Sequence, residues 1–190
     1  MRHSEQEKQR SHRRIVEVAA RRIREAGTDG PGVAEIMSAA GMTHGGFYKH
    51  FGSRDELIAE ATALACADGA ARVAKTIENA ADPLAALITT YLSAAHRDDP
   101  GTGCAVAALG GDVARPGNAA RDAYTEQVRR YVDRLGELLA AEDAPGDAAA
   151  RRAQAIAIMS SLVGALVISR AVDDPSLADE VLQATRGSLP

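Results

Sequence analysis

Gly41 divides two short segments of opposite character, and that division limits what the chain can fold into more than any other feature. Before it, Val33, Ile36, Met37 and Ala40 recur at the i, i+3, i+4, i+7 spacing that puts four apolar side chains on one helical face. Gly41 stops that helix, because glycine enters the left-handed conformation of a helix C-terminus without steric cost, and Met42 supplies an apolar plug under the turn. Thr43 is placed to cap a second helix, His44 to Phe51, by accepting a first-turn N–H bond on its hydroxyl. Those eight residues hold two glycines, two histidines, Tyr48, Lys49 and both phenylalanines of the chain. Helix propensity alone would not choose them. Glycines at the start of a short helix let a partner's backbone come close, and the basic and aromatic residues behind them suit a phosphate-lined groove. Phe47 and Phe51 are expected to lock the element against Ile36.

The flanks extend the pattern. Residues 1–10 are polar throughout and are expected to fray. From Ser11 to Ala26 a helix is expected with Ile15, Val18, Ala19, Ile23 and Ala26 inward and Arg13, Arg14, Arg21, Arg22 and Arg24 outward. Gly27 ends it, and 28–32 form a loop. Downstream, Ser53 with Glu56 makes a capping box for a long helix from Arg54 to about Ala80. At about 1.5 Å per residue it spans roughly 40 Å, so its first turn and its far end serve different regions.

The run Gly41-Met42-Thr43, Gly45, Phe47-Tyr48-Lys49-His50-Phe51 and Ser53-Arg54-Asp55-Glu56-Leu57 closely resembles the DNA-binding signature of the TetR family of bacterial transcriptional regulators. Ile15 to Val18, Ala19, Ile23 and Gly27 resemble that family's first helix. Gly32-Val33 stands where the family commonly has a hydroxyl residue. The resemblance implies an all-α fold of about nine helices. An N-terminal three-helix domain, residues 1–55 with the helix-turn-helix at about 32–51, would be followed by a ligand-binding and dimerisation domain, 56–190. Carried over residue by residue, it implies that Thr43, His44 and Gly45 lie nearest base edges, that Tyr48, Lys49 and His50 meet phosphate or nearer bases, and that Arg54 holds phosphate.

Charge distribution agrees with that division. Residues 1–55 carry 10 Lys and Arg against 7 Asp and Glu, and the remainder 12 against 19, so the N-terminal segment tolerates a polyanion and the rest repels one. Two cysteines, 38 positions apart, make neither a disulfide framework nor a structural zinc site, and a reducing cytoplasm is expected. Ala153 to Val172 is apolar, but Gln154, Ser160, Ser161, Ser169 and Arg170 interrupt it, so an interface helix is expected rather than a membrane span. His44 and His50 lack chelating spacing, no strand precedes a glycine-rich loop, and Ser160-Ser161 has no histidine near it. No enzyme, metal or cofactor is therefore expected; a helical-bundle enzyme would need a cluster that the sequence does not display.

Beyond the long helix, further helices are expected from Asp82 through His96, over Thr102 to Arg115 around Gly110-Gly111, over about 119–141, from Asp147 to about Val172, and from Asp174-Pro175 onward. Pro116-Gly117-Asn118 and Pro145-Gly146 separate them. Thr62, Cys66, Tyr91, His96, Cys104, Tyr124 and Tyr131 put sparse polar groups on apolar faces, the pattern of a small-molecule pocket. The 153–172 helix needs cover on two sides, and with the last helix it resembles the family's four-helix dimer interface: Ile156, Ser160, Val163, Gly164, Val167, Leu177 and Val181 are the expected contacts, with Ala157, Ser160, Gly164 and Ala165 small enough for close approach. The expected function is a cytoplasmic, homodimeric regulator of double-stranded operator DNA, a repressor released by a small-molecule effector. The alternative is a regulator switched by oxidant or electrophile at Cys104.

Overall fold

The computed structural model describes residues 2–115, 118–141 and 146–190, with side chains from Glu5 onward. Among them stand nine α-helices, two 3-10 turns and no strand. The helices are α1 (Arg2–Ala26), α2 (Val33–Ala39), α3 (Arg54–Ile77), α4 (Pro83–Tyr91), α5 (Ala94–Asp98), α6 (Ala105–Val113), α7 (Arg121–Ala141), α8 (Ala148–Ala171) and α9 (Pro175–Ser188). The expected breaks at Pro116-Gly117 and at Pro145 lie outside the described residues. The all-α architecture is as expected, with three corrections to its elements.

Helix α1 starts at Arg2, not near Ser11, because residues 2–10 contain no glycine or proline and are rich in Glu, Gln, Lys and Arg, which tolerate a helix well. The helix expected from Asp82 to His96 is two helices. Ser93 breaks it: its hydroxyl accepts from the His96 N–H at 3.2 Å and donates to the Thr90 carbonyl at 2.8 Å, so it caps α5 and closes α4. The second element of the helix-turn-helix is a six-residue 3-10 turn, His44–Lys49, and not an α-helix to Phe51. Thr43 occupies its N-cap position, but the hydroxyl caps nothing, since consecutive glycines at 45 and 46 let the chain tighten without it.

Other ends follow the chemistry of their residues. At the end of α2, Gly41 has φ +74°, the Met42 N–H donates to the Met37 carbonyl and the Gly41 N–H to the Ser38 carbonyl, the paired bonds of a Schellman motif. At the start of α3 the Ser53 hydroxyl accepts from the Glu56 N–H at 3.1 Å, and the Glu56 carboxylate reaches back to the Gly52 N–H at 2.6 Å. Asp82, Asp147 and Asp174 cap α4, α8 and α9.

The packing forms two apolar clusters. One joins α1, α2, the 3-10 turn and the first half of α3 with Ala105, Leu109 and Val113 of α6. The other joins α4, α7, α8 and α9 with Cys104 and Val106. Successive residues of α6 thus enter different cores, so the head formed by α1, α2 and the turn is seated on α6 as well as carried by α3. Arg24 corrects the expected outward face of α1. Its side chain is 4% exposed, and it donates to the Gly101 carbonyl at 2.7 Å and the Ala65 carbonyl at 3.4 Å, with Asp68 at 3.7 Å. Ala26, expected inward, is exposed. Helix α8 is long and apolar enough to cross a membrane by composition, and 39% of its apolar window is buried against the rest of the fold.

Candidate nucleic-acid interface and effector cleft

Phe47 and Phe51 are each 2% exposed, and their rings stack at 5.5 Å between centroids, with Phe51 also stacked on His12 of α1 at 4.5 Å. Burying each phenyl contributes about 1.5–3 kcal/mol, which holds a six-residue turn that its own backbone could not. Anchoring the turn at Phe47 and the chain just past its end at Phe51 presents the other residues. Thr43, His44, Gly45 and Lys49 are exposed and Tyr48 is 75% exposed, an unusual placement for a large ring. A Cβ at Gly45 would meet nothing within 4 Å, so that surface is open to an approaching partner. The whole turn, with Lys49 at its end, offers donors and one cation over a flat apolar floor, which is the requirement for entering a groove lined by phosphate.

His50 is half-buried behind that surface. Its Nδ1 has no partner among the described residues, and burial, with His12, Lys8 and Lys49 nearby, pushes its pKa down. His12 bridges to Glu60 of α3 at 2.8 Å. Arg54 does not point outward: its guanidinium donates to the Thr28 carbonyl at 2.5 Å and the Pro31 carbonyl at 3.3 Å, fixing the loop that leads into α2. Gly32 caps α2 with no side-chain bond, leaving the first N–H groups bare.

A second site lies in the body. A cleft of about 690 Å³ opens between α3, α4, α5 and α7 and is lined by, among others, Gly69, Arg72, Val73, Leu87, Tyr91, His96, Cys104 and Tyr131. Of the seven expected pocket residues, Tyr91, His96, Cys104 and Tyr131 meet there. Thr62, Cys66 and Tyr124 do not line it. Thr62 and Cys66 continue the α3 stripe of Gly69, Val73 and Thr76, but nearer the head, where the fold covers them; Tyr124 donates instead to the Val106 carbonyl at 3.1 Å. Arg72, Lys75 and Gly69 were missed. Gly69 carries the clearest signal, because a Cβ there would stand 2.7 Å from the Tyr131 hydroxyl, so the stripe needs its smallest residue at that level.

His96 organises the cleft wall. Its Nδ1 lies 2.8 Å from the Tyr91 carbonyl and its Nε2 accepts from the Cys104 N–H at 3.0 Å, so the ring is the neutral Nδ1–H tautomer, tying the end of α4 to the start of α6. Burial pushes its pKa down, against the Tyr91 carbonyl that raises it; Arg170 and Arg72 add to the lowering. The Tyr91 hydroxyl is buried without a partner among the described residues, and its pKa is raised well above the ordinary phenol by burial and by Cys104. Both thiols are buried, and burial pushes Cys66 up to about 11, which keeps it protonated and unreactive.

On the outer faces of α8 and α9, Ile156, Ser160, Val167 and Leu177 are exposed and Val163, Gly164 and Val181 half-buried. Ile168, exposed to 51%, belongs to the same surface and was missed. Ala165 faces the chain's own core instead.

Residues 15–61 match the family model of bacterial regulatory proteins, tetR family. No curated protein matches the chain. Among solved structures, it is similar to a TetR-family transcriptional regulator from Agrobacterium tumefaciens, with TM-score 0.79 and 20% identity over 96% of this chain and 98% of that one. It is also similar to a TetR transcriptional regulator from Chloroflexus aurantiacus, with TM-score 0.80 and 19% identity over 96% and 95%. E. coli NemR in its reduced form aligns with TM-score 0.78 and 17% identity over 93% of each chain.

Proposed function

We propose, from the premise that this chain is a TetR-family transcriptional regulator by its head, residues 15–61, and by its fold, that it is a cytoplasmic homodimeric repressor which a small molecule in the α3–α7 cleft releases from palindromic operator DNA. In this reading residues 1–55 form the DNA-binding domain and 56–190 the effector and dimerisation domain. Thr43, His44 and Gly45 face base edges, while Tyr48, Lys49 and His50 face phosphate or the nearer bases. Arg54 acts through the loop it holds, and reaches phosphate only where those carbonyls release it. Two copies meet across α8 and α9, where Ile156, Val167, Ile168 and Leu177 leave an apolar surface exposed. A twofold axis there requires inverted half-sites.

The observation that carries the coupling is the position of α6. Its first residue is preceded by Cys104, whose N–H is held by His96, and by Gly103, whose carbonyl accepts from Arg72 at 3.0 Å; both holders line the cleft. At its other end, Asp112 accepts from the Thr28 N–H at 2.7 Å, next to the carbonyl that Arg54 grips. A ligand that draws on Arg72 or moves His96 therefore acts on the helix that seats the head. Rotating two heads that must meet successive major grooves, about 34 Å apart, costs several contacts together.

The test is operator selection from random duplexes, then binding at several salt concentrations. An inverted repeat bound as a dimer, with affinity falling steeply between about 50 and 200 mM salt, is expected. Tyr48→Ala should weaken all sequences alike and His44→Ala should change base preference. Preference for single half-sites, or salt-indifferent binding, overturns the reading.

A further inference from the structure

The cleft is positive in an acidic body. Arg72 and Lys75 stand at its mouth on adjacent turns of α3, and neither pairs with a carboxylate among the described residues. Asp99 is the one carboxylate in the lining, and Thr102 holds it with hydroxyl and N–H bonds at 2.6 and 3.4 Å. His96, with its Nε2 committed as an acceptor, contributes no charge. Two cations against one engaged carboxylate leave a single positive charge, while residues 56–190 as a whole carry a surplus of seven negative ones. Arg72 is also preorganised, because its bond to the Gly103 carbonyl fixes the guanidinium and leaves its other N–H groups for a ligand. Inward, the lining turns apolar. Val73, Leu87, Tyr91 and Tyr131 also wall a second space of about 30 Å³, closed by Met159 and Leu162, with Arg134 beside it engaged by Glu137 at 2.8 Å. So narrow a space suits the end of an alkyl chain better than a fused ring system.

We propose that the cleft binds a linear alkyl carboxylate, its head group at Arg72 and Lys75 and its chain running past Val73 and Tyr131 to end beside Met159. This rests on the reading of the cleft as the effector site and names the chemical class that site takes. One net positive charge suits a monoanion over a phosphate dianion, and it opposes the cationic amphiphiles that an apolar cleft alone would admit.

The experiment titrates the purified full-length chain with decanoate, decan-1-ol, decyltrimethylammonium and cholate, below their micellar concentrations, by calorimetry. Decanoate should bind at one site per protomer, and the alcohol, the cation and the fused-ring cholate each about tenfold or more weakly. Arg72→Gln and Lys75→Gln should each weaken decanoate and leave decanol unchanged. Arg129→Gln, the same charge change on the exposed face of α7, should alter neither. Decyltrimethylammonium or decanol binding as tightly as decanoate overturns the proposal, as does an equal loss from Arg129→Gln. A parallel operator-binding measurement separates the two claims. Decanoate that binds at Arg72 without changing operator affinity upholds the carboxylate site and removes its effector role. Release of operator by decyltrimethylammonium but not by decanoate upholds the effector cleft and overturns the carboxylate.

Discussion

The head and the cleft use polar residues in opposite ways. In the head, two buried phenylalanines, Phe47 in the six-residue turn and Phe51 just beyond it, hold Thr43, His44, Tyr48 and Lys49 out into solvent; in the cleft, a wall drawn from four helices turns Tyr91, His96 and Tyr131 inward. A surface made by neighbours in sequence tolerates change elsewhere in the molecule. A cavity made by distant segments depends on every helix that walls it. The largest expected effect follows. Phe51→Ala should cost about 3–5 kcal/mol, concentrated in the head, because the ring fills the space between the turn and α1. Hydrogen exchange would show amides of 36–58 losing protection while those of 132–141 and 152–166 keep theirs. Equal loss in both regions would mean that the shared helix α6 makes the two cores one cooperative unit.

The next effect probes that junction directly. Arg24 is the buried cation between them, and Arg24→Ala should cost about 2–3 kcal/mol, since the Gly101 and Ala65 carbonyls lose their donor inside the fold. Urea denaturation measures it. A loss under about 0.5 kcal/mol would make Arg24 an ordinary surface residue and the junction a loose one.

How far each region could be read from sequence follows the same contrast. The Gly41 stop, the Ser53 cap and the buried Phe47 and Phe51 are all consequences of residues within a few positions of one another, so spacing and turn chemistry suffice. Arg24 was misplaced because its partners lie 41 and 77 positions away, and no local pattern distinguishes an arginine facing them from one facing water. Ser93 went unread because the apolar periodicity of Leu84 to Leu92 carried the expected helix past it. In the cleft, the expected Thr62 and Cys66 share the α3 stripe of Gly69, Val73 and Thr76 but lie nearer the head, where the fold buries them, and Gly69 is the first residue of that stripe in the lining.

Two glycines give a smaller, sharper pair. Gly41 sits at φ +74°, so Gly41→Ala should destabilise by about 1–2 kcal/mol, through the cost of a left-handed conformation with a Cβ. Gly164 lies inside α8, where a Cβ would meet nothing within 4 Å in the single chain. Gly164→Ala should therefore stabilise the protomer by about 0.5–1 kcal/mol through helix propensity, yet weaken dimerisation if a second copy packs closely there. Sedimentation at several concentrations with a parallel denaturation series separates the two effects. A variant that gains stability and dimerises as before would move the interface away from Gly164.

The finest comparison sets His50 in the head against His96 in the cleft wall. Both have pKa values lowered from 6.5, first by burial, and in His50 then by His12, Lys8 and Lys49. An unfolded chain therefore takes up these protons at higher pH than the folded one. The sign follows: the folded state is at full strength above about pH 6.5 and loses stability as pH falls from there toward the lower folded values. Asp98 and Asp99, also lowered, titrate well below this range and do not contribute to it. The consequences differ by place. A proton on His96 must occupy Nε2, the atom that accepts the Cys104 N–H, so acid loosens the start of α6 and should shift the cleft. His50 lies behind the proposed DNA-facing surface, where a proton is welcome once phosphate is near, so operator binding should raise its pKa and strengthen as pH falls from 7.5 to 6. Urea denaturation at pH 7.5, 6.5 and 5.5 for the parent, His50→Gln and His96→Gln measures the first effect, and each variant should flatten the slope. Operator affinity at the same pH values measures the second, and only His50→Gln should abolish the acid gain. An unchanged gain in His50→Gln would leave His50 as packing beneath the turn.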